Sequence, residues 1–72
     1  MLMRQIAELD AVALTVDLPH VGLIRGQVGT VVFVLSHDAF EVEFVDETGR
    51  TYGLAMLKAS QLLRLHDKPV VA

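Results

Sequence analysis

The sequence predicts an all-β fold, because residues 26–57 read as three consecutive strands joined by two tight turns. Apolar and acidic residues alternate strictly over residues 40–44, and large and small residues alternate over residues 52–56. Alternation with a period of two is typical of a strand with one buried and one solvated face. We expect the rest of the chain to pack onto this three-stranded meander.

The second hairpin of the meander has a definite predicted register. A three-residue loop, residues 47–49, pairs Asp46 with Arg50, and Gly49 suits the left-handed last position of such a loop. A loop one residue longer would turn the second strand's large apolar residues to the wrong face. The predicted buried face therefore holds the cross-strand pairs Phe44–Tyr52, Val42–Leu54 and Phe40–Met56.

The first hairpin leaves two alternatives open. If residues 36–38 form its turn, one set of side chains faces the core and the other faces outward. In that register the inward set is Val32 and Val34, and the outward set is Val31, Phe33 and Leu35. A turn one residue longer reverses the two sets. Residues 31–35 are apolar on both sides in either case, and such a strand is usually covered on both faces.

The remaining elements complete a five-stranded barrel. Residues 1–8 form a lead-in, residues 9–16 the first strand, and residues 17–26 a long loop with Pro19, Gly22 and Gly26 as turn residues. Residues 58–61 predict a short 3₁₀ turn before a closing strand at 62–65, and residues 67–72 form a tail. This order predicts a small SH3-like barrel over about residues 9–65, whose closure would protect the strand edges.

Size and composition indicate one domain that gains from association. A chain of 72 residues buries only roughly 60% of its unfolded surface, so its stability is marginal without help. Apolar residues make up 53% of the chain, and its mean hydropathy is +0.49. A chain this apolar is expected to bind another protein, most commonly a second copy of itself.

Charge and residue usage argue against several classes of function. The net charge is −3 and the six basic residues are scattered, which argues against nucleic-acid binding because phosphate neutralisation supplies much of that affinity. The chain has no cysteine, which fits the cytoplasm. No apolar run is long enough for a transmembrane helix, and the N-terminus lacks the apolar core of a signal peptide.

Two resemblances follow from these residues. The pattern Gly26-x-x-Gly29-x-Val31-x-x-Val34 is similar to the glycine-bracketed strand of KOW-type SH3-like domains, found in ribosomal and transcription proteins. A longer match resembles the small bacterial family known as domain of unknown function 4926. It comprises LDAVALT at 9–15, DLP at 17–19, GLIRGQVGTVV at 22–32, EVEFVD at 41–46, GRTY at 49–52 and QLL at 61–63. This resemblance implies a stand-alone bacterial protein with an SH3-like barrel, and it implies no activity.

The polar candidates for a site have structural explanations. The three histidines, His20, His37 and His66, are far apart in sequence and lack the short ligand spacing of a metal site. Glu41 and Glu43 share one face, and alternating acids on a strand usually keep that face solvated. No hydroxyl residue lies in a nucleophile elbow, and the glycine-rich segment opens a strand rather than a phosphate-binding helix. The sequence therefore predicts no enzyme, no cofactor and no bound metal.

One apolar set remains as a candidate site. Phe40, Phe44 and Tyr52 are assigned to the core, whereas Val31, Phe33 and Leu35 form a candidate interaction surface in the preferred register. The alternative is burial of Phe33 by the loop at 17–26. We therefore expect a cytoplasmic, non-enzymatic, self-associating protein-interaction module, with a protein partner of unknown identity as a further possibility. The alternative is a KOW-like module that binds nucleic acid or ribosomes; no membrane association is expected.

Overall fold

The computed structural model of the protein describes residues 5–65 and contains five antiparallel strands in one sheet. Residues 1–4, the predicted tail at 67–72 and His66 lie outside the described residues. The strands are β1 (Ala11–Leu14), β2 (Val28–Ser36), β3 (Ala39–Val45), β4 (Thr51–Lys58) and β5 (Leu62–Arg64). Two short 3₁₀ helices, Pro19–Val21 and Ala59–Gln61, precede β2 and β5. The all-β prediction and the 3₁₀ turn before the last strand are confirmed.

The strands lie in the order β4-β3-β2-β1-β5, so β1 bridges the meander and the closing strand. β1 pairs with β2 through residues such as Val12 opposite Gly29, and with β5 through Val12 opposite Arg64. Within residues 5–65 no ladder joins β4 to β5. The five-stranded sheet is thus observed, and its closure into a barrel is not.

A β-bulge overturns the predicted register of the second hairpin. The turn itself is as predicted: the Asp46 N–H donates to the Arg50 carbonyl at 2.9 Å, and Gly49 has φ +83°. Val45 pairs with Thr51, but the next pair is Phe44 with Gly53, which leaves Tyr52 as the extra residue. One extra residue turns the rest of β4 over. The expected pairs Phe44–Tyr52, Val42–Leu54 and Phe40–Met56 are therefore wrong.

Two further bulges bend β2 and determine the register of the first hairpin. The connection is shorter than either alternative, because Ser36 pairs with Ala39 and only His37 and Asp38 lie between the strands. Val34 pairs with Phe40 as in the preferred register, and Leu35 is an extra residue between these two pairs. Val32 is a second extra residue, because Phe33 pairs with Glu41 and Val31 with Val42. Bulges of this kind increase the local twist of a sheet.

The buried core lies on one face of the bent sheet, here called the inner face. It contains nine hydrophobic residues from all five strands and the long loop: Val12, Leu14, Leu23, Val31, Phe40, Val42, Phe44, Leu57 and Leu62. Partly buried hydrophobic residues pack against its rim: Ile6, Leu18, Ala55 and Ala59. No charged or polar residue among the described ones is buried. The aliphatic pattern of β1 and β3 predicted this face correctly.

The long loop at residues 15–27 folds back over the core, as the sequence suggested. Leu18 forms an isolated antiparallel bridge with Leu23, and Leu23 is 1% exposed. The Asp17 carboxylate accepts the Arg25 N–H at 2.8 Å, and the Gln27 side-chain carbonyl accepts the Ile24 N–H at 2.7 Å. The loop is therefore ordered and covers the inner face. It does not bury Phe33.

Candidate interaction surface

The structure separates the three residues of the predicted interaction surface. Val31 is fully buried in the core, so its assignment to a partner surface is wrong. Phe33 is 52% exposed and lies on the opposite face, here called the outer face. Leu35 is also exposed, at the bulge near the end of the hairpin. The physical reason is the extra residue Val32, which lets Val31 and Phe33, two positions apart, point to opposite faces.

The outer face carries apolar residues that the sequence had assigned to the core. Leu54 is 59% exposed and Met56 is 69% exposed. Leu54 lies opposite Glu43, which in turn lies opposite Thr30; Met56 lies opposite Glu41, which lies opposite Phe33. We call Phe33, Leu54 and Met56 the outer apolar residues. The exposure of Leu54 and Met56 follows from the bulge at Tyr52, because a one-residue shift exchanges the faces of β4.

Two carboxylates lie between these apolar side chains. Glu41 and Glu43 are half-buried on the outer face of β3, with neighbouring strands on both sides. The Glu43 carboxylate accepts a hydrogen bond from the Thr51 hydroxyl at 2.6 Å. The outer face is thus apolar along β4 and acidic along β3. A ligand that covered all of it would have to desolvate both carboxylates.

Strand β4 also has a backbone edge that no other strand within residues 5–65 pairs with. It pairs with β3 through seven residue pairs and is the terminal strand of the sheet on that side. Every second residue of an edge strand directs its N–H and C=O groups away from the sheet, where they can pair with another strand. Residues 52–57 contain no charge and no proline. The opposite edge, β5, has only three residues.

The four aromatic residues of the chain do not form one exposed groove. Phe40 and Phe44 are buried in the core, as predicted, and Tyr52 is 46% exposed. The rings of Phe44 and Tyr52 still contact each other, with centroids 6.3 Å apart at a tilted angle of 47°. Tyr52 is therefore not the core residue that the sequence predicted, although its ring covers part of the Phe44 ring.

The Asp46 turn is a structural site rather than a chemical one. The Asp46 Oδ1 atom accepts the Thr48 hydroxyl at 2.7 Å and the Thr48 and Arg50 N–H groups at 2.9 and 3.0 Å. The hydrogen bond from the Thr48 hydroxyl, followed by those from the two backbone groups, lowers the pKa of the Asp46 carboxyl. The carboxylate is fully exposed. Its role is to hold the hairpin turn.

An ion pair holds β5 against the start of β1. The Arg64 guanidinium donates to the Asp10 carboxylate at 2.9 Å, and both side chains are largely shielded from solvent. The same Asp10 oxygen accepts the Ala7 N–H at 2.8 Å. This ion pair stabilises the position of the short edge strand, so Arg64 has a structural role.

Two further kinds of site are absent from the described part of the chain. Residues 5–65 contain no group of three or more histidine, cysteine, aspartate or glutamate side chains placed to hold a metal ion. His20 lies in the first 3₁₀ helix and His37 in the first hairpin turn, both exposed. Over the same residues no helix is long and apolar enough to cross a membrane.

The glycines of the KOW-like pattern have conformational and packing roles. Gly26 has φ +94° in the turn that leads into β2, a conformation that favours glycine. A Cβ atom on Gly29 would lie 2.8 Å from the Glu43 carbonyl oxygen and 2.7 Å from Val42 Cγ1. Gly29 is therefore required by the close approach of β2 and β3. The pattern is explained without a nucleic-acid ligand.

Over residues 5–65 these features define an all-β fold whose exposed side is a mixed apolar and acidic sheet face beside the unpaired edge of β4. Over residues 8–64 the chain matches the family model described as Domain of unknown function (DUF4926), and it belongs to that family. The family resemblance inferred from the sequence is thereby confirmed. No curated protein and no solved structure gives a significant match to the chain.

Proposed function

We propose that this chain is a non-enzymatic protein-interaction module of the bacterial cytoplasm that associates with a second copy of itself. The single observation that carries the proposal is the position of Leu54 and Met56. Both are large, apolar and more than half exposed on the terminal strand of the sheet. Single exposed apolar residues are ordinary, but several together around an open edge are typical of an association surface.

The small size of the core supports the same proposal. Within residues 5–65 the core contains nine buried residues, and a domain of this size is marginally stable on its own. Association of folded copies adds stability by mass action. Apolar residues that could have enlarged the core lie instead on the outer face, where no other part of residues 5–65 buries them.

The topology supports an SH3-like barrel as the finer fold of the module. β1 lies between β2 and β5, a 3₁₀ helix precedes β5, and three bulges bend β2 and β4. Bending of this kind is what brings the ends of a short sheet together in small barrels. The proposed function requires the bent sheet to stay open between β4 and β5, because full closure there would pair the β4 edge that it uses.

The proposal is tested by the molar mass of the purified protein in solution. Size-exclusion chromatography with light scattering over a dilution series should give an oligomer that dissociates on dilution. Leu54→Glu should shift the protein toward monomer, because it places a charge among apolar side chains. Leu63→Glu is the matched control, since Leu63 is equally exposed but lies on β5 at the opposite edge. A wild-type protein that stays monomeric at every concentration would overturn the proposal.

The alternative function is a KOW-like module that binds nucleic acid or ribosomes. Its support is the glycine-bracketed β2, and against it stand the net charge of −3 and the carboxylates of the outer face. A pull-down from host lysate with and without nuclease separates the two functions. Recovery of ribosomal or transcription proteins that disappears with nuclease, together with binding that falls steeply with salt, would favour the alternative.

A further inference from the structure

We infer that two copies associate by pairing their β4 edges antiparallel, about a two-fold axis at Ala55. This inference rests on the proposed self-association and adds its geometry. Strand β4 offers residues 53–57 as a regular edge beyond the bulge at Tyr52. Its outward backbone groups are satisfied by another strand of the same length, and a second β4 is such a strand.

The side chains of β4 are more self-complementary in this register than in the neighbouring ones, because Lys58 and the bulged Tyr52 of the partner subunit meet only at the two ends of the strand pair. With the axis at Ala55, Leu54 lies opposite the partner's Met56, and Met56 lies opposite the partner's Leu54. On the inner face Ala55 meets the partner's Ala55. An axis at Leu54 would place Met56 opposite the bulged Tyr52 of the partner subunit. An axis at Met56 would place Leu54 opposite the charged Lys58 of the partner subunit.

Charge excludes the other way of covering the outer apolar residues, which is to stack two outer faces. The middle of that face carries two acidic residues, Glu41 and Glu43. Lys58 is the basic residue that β3 and β4 place on the same face. Stacking would bring the carboxylates of both copies together and remove them from water, at a cost of several kcal/mol for each unpaired ion. Edge pairing leaves both carboxylates in solvent.

The opposite edge of the sheet, formed by β5, is protected against pairing with another strand, whereas the β4 edge is not. Strand β5 is three residues long and ends in Arg64, which is held by Asp10. Short strands and charged side chains are the usual protection of a sheet edge against pairing. A strand pair of five residues is smaller than a standard interface of roughly 1,200–2,000 Å², so the dimer should dissociate readily on dilution.

Cysteine cross-linking tests the register directly, because the natural chain has no cysteine. Directly opposed residues of antiparallel strands have Cα atoms about 4.5–5.5 Å apart, within the range of a disulfide. Under oxidation by oxygen with copper–phenanthroline, Ala55→Cys should form a covalent dimer. Leu54→Cys and Met56→Cys should cross-link when mixed with each other and much less when alone. Thr48→Cys, in the exposed hairpin turn, reports random collision.

The outcomes separate this inference from the proposed function. Equal cross-linking of Ala55→Cys and Thr48→Cys overturns the pairing, as does cross-linking of Leu54→Cys alone at the level of the mixture. If Ala55→Cys fails to fold, the mixture of Leu54→Cys and Met56→Cys still tests the register, since positions 54 and 56 are exposed. Phe33→Glu should leave the dimer intact, and its dissociation would indicate stacked faces instead. A monomeric wild-type protein would overturn both the pairing and the proposed function.

Discussion

Gly29 lies where β2 passes closest to β3, and Gly29→Ala should destabilise the protein more than its size suggests. An added Cβ would lie 2.7 Å from Val42 Cγ1, 2.8 Å from the Glu43 carbonyl oxygen and 2.9 Å from Phe44 Cδ2. Two of these neighbours are fully buried, and the third is backbone in a ladder between two strands. None of them can move away without disturbing the sheet.

The magnitude follows from overpacking. Inserting a methyl group into a packed core costs about 1–3 kcal/mol, and alanine returns about 0.4–1 kcal/mol through the lower entropy of the unfolded chain. Because three contacts are too short at once, we take the upper end of that cost, about 3 kcal/mol. Subtracting the gain from the unfolded chain leaves a net loss of about 2 kcal/mol. In a domain of this size, such a loss lowers the melting temperature by about 8–16 °C.

Gly53→Ala is the matched control for Gly29→Ala. Its Cβ would approach only the Leu23 Cδ2 atom closely, at 3.1 Å, and that methyl group is the movable end of a side chain. We expect a change within about 0.5 kcal/mol. Thermal and urea unfolding followed by circular dichroism, at one fixed protein concentration, measure both variants. Similar stabilities for the two variants would refute the close approach of β2 and β3.

Three further predictions follow from particular residues. Leu9 is 77% exposed with φ +74°, so Leu9→Gly should stabilise the fold by about 0.5–1 kcal/mol in urea unfolding, whereas Leu9→Ala should not. The folded-state pKa of Asp46 is lowered, chiefly by the Thr48 hydroxyl, so its carboxylate stabilises the fold above about pH 4 and this contribution is lost as the pH falls through the folded pKa. The stability difference between wild type and Asp46→Asn should therefore shrink on acidification, and a constant difference would contradict this role. Phe44→Ala should cost about 3–5 kcal/mol and Phe33→Ala less than about 1 kcal/mol, and comparable losses in calorimetry would contradict their assignment to opposite faces.

The sequence predicted the elements of this fold where one signal dominated. Strict alternation over residues 40–44 gave the inner face of β3, and Gly49 gave the three-residue turn with its left-handed last residue. The apolar character of the loop at 17–26 correctly indicated that it packs on the core, through Leu23. In each case the local pattern and the tertiary packing require the same residue type.

The predictions failed where an extra residue entered a strand. Val32 has no glycine or proline beside it to indicate a bulge. Tyr52 is followed directly by Gly53, a possible bulge signal that the alternation of large and small residues outweighed. β2 is apolar on both faces, so burial could not distinguish Val31 from Phe33 by pattern alone. In β4, alternation of large with small residues predicted large side chains inside, but Gly53 faces Phe44 because the bulky ring and Leu23 fill that space. Of the candidate surface, Phe33 and Leu35 are exposed and Val31 is buried, and the exposed residues Leu54 and Met56 had been assigned to the core.

The central claim is that β4 is the open edge through which the module associates. Residue-resolved hydrogen exchange at high and low protein concentration tests this claim most directly. We predict that the outward-facing amide groups of residues 53–57 become protected as the concentration rises, while those of β5 do not change. Exchange from β4 that stays fast and independent of concentration would contradict the account.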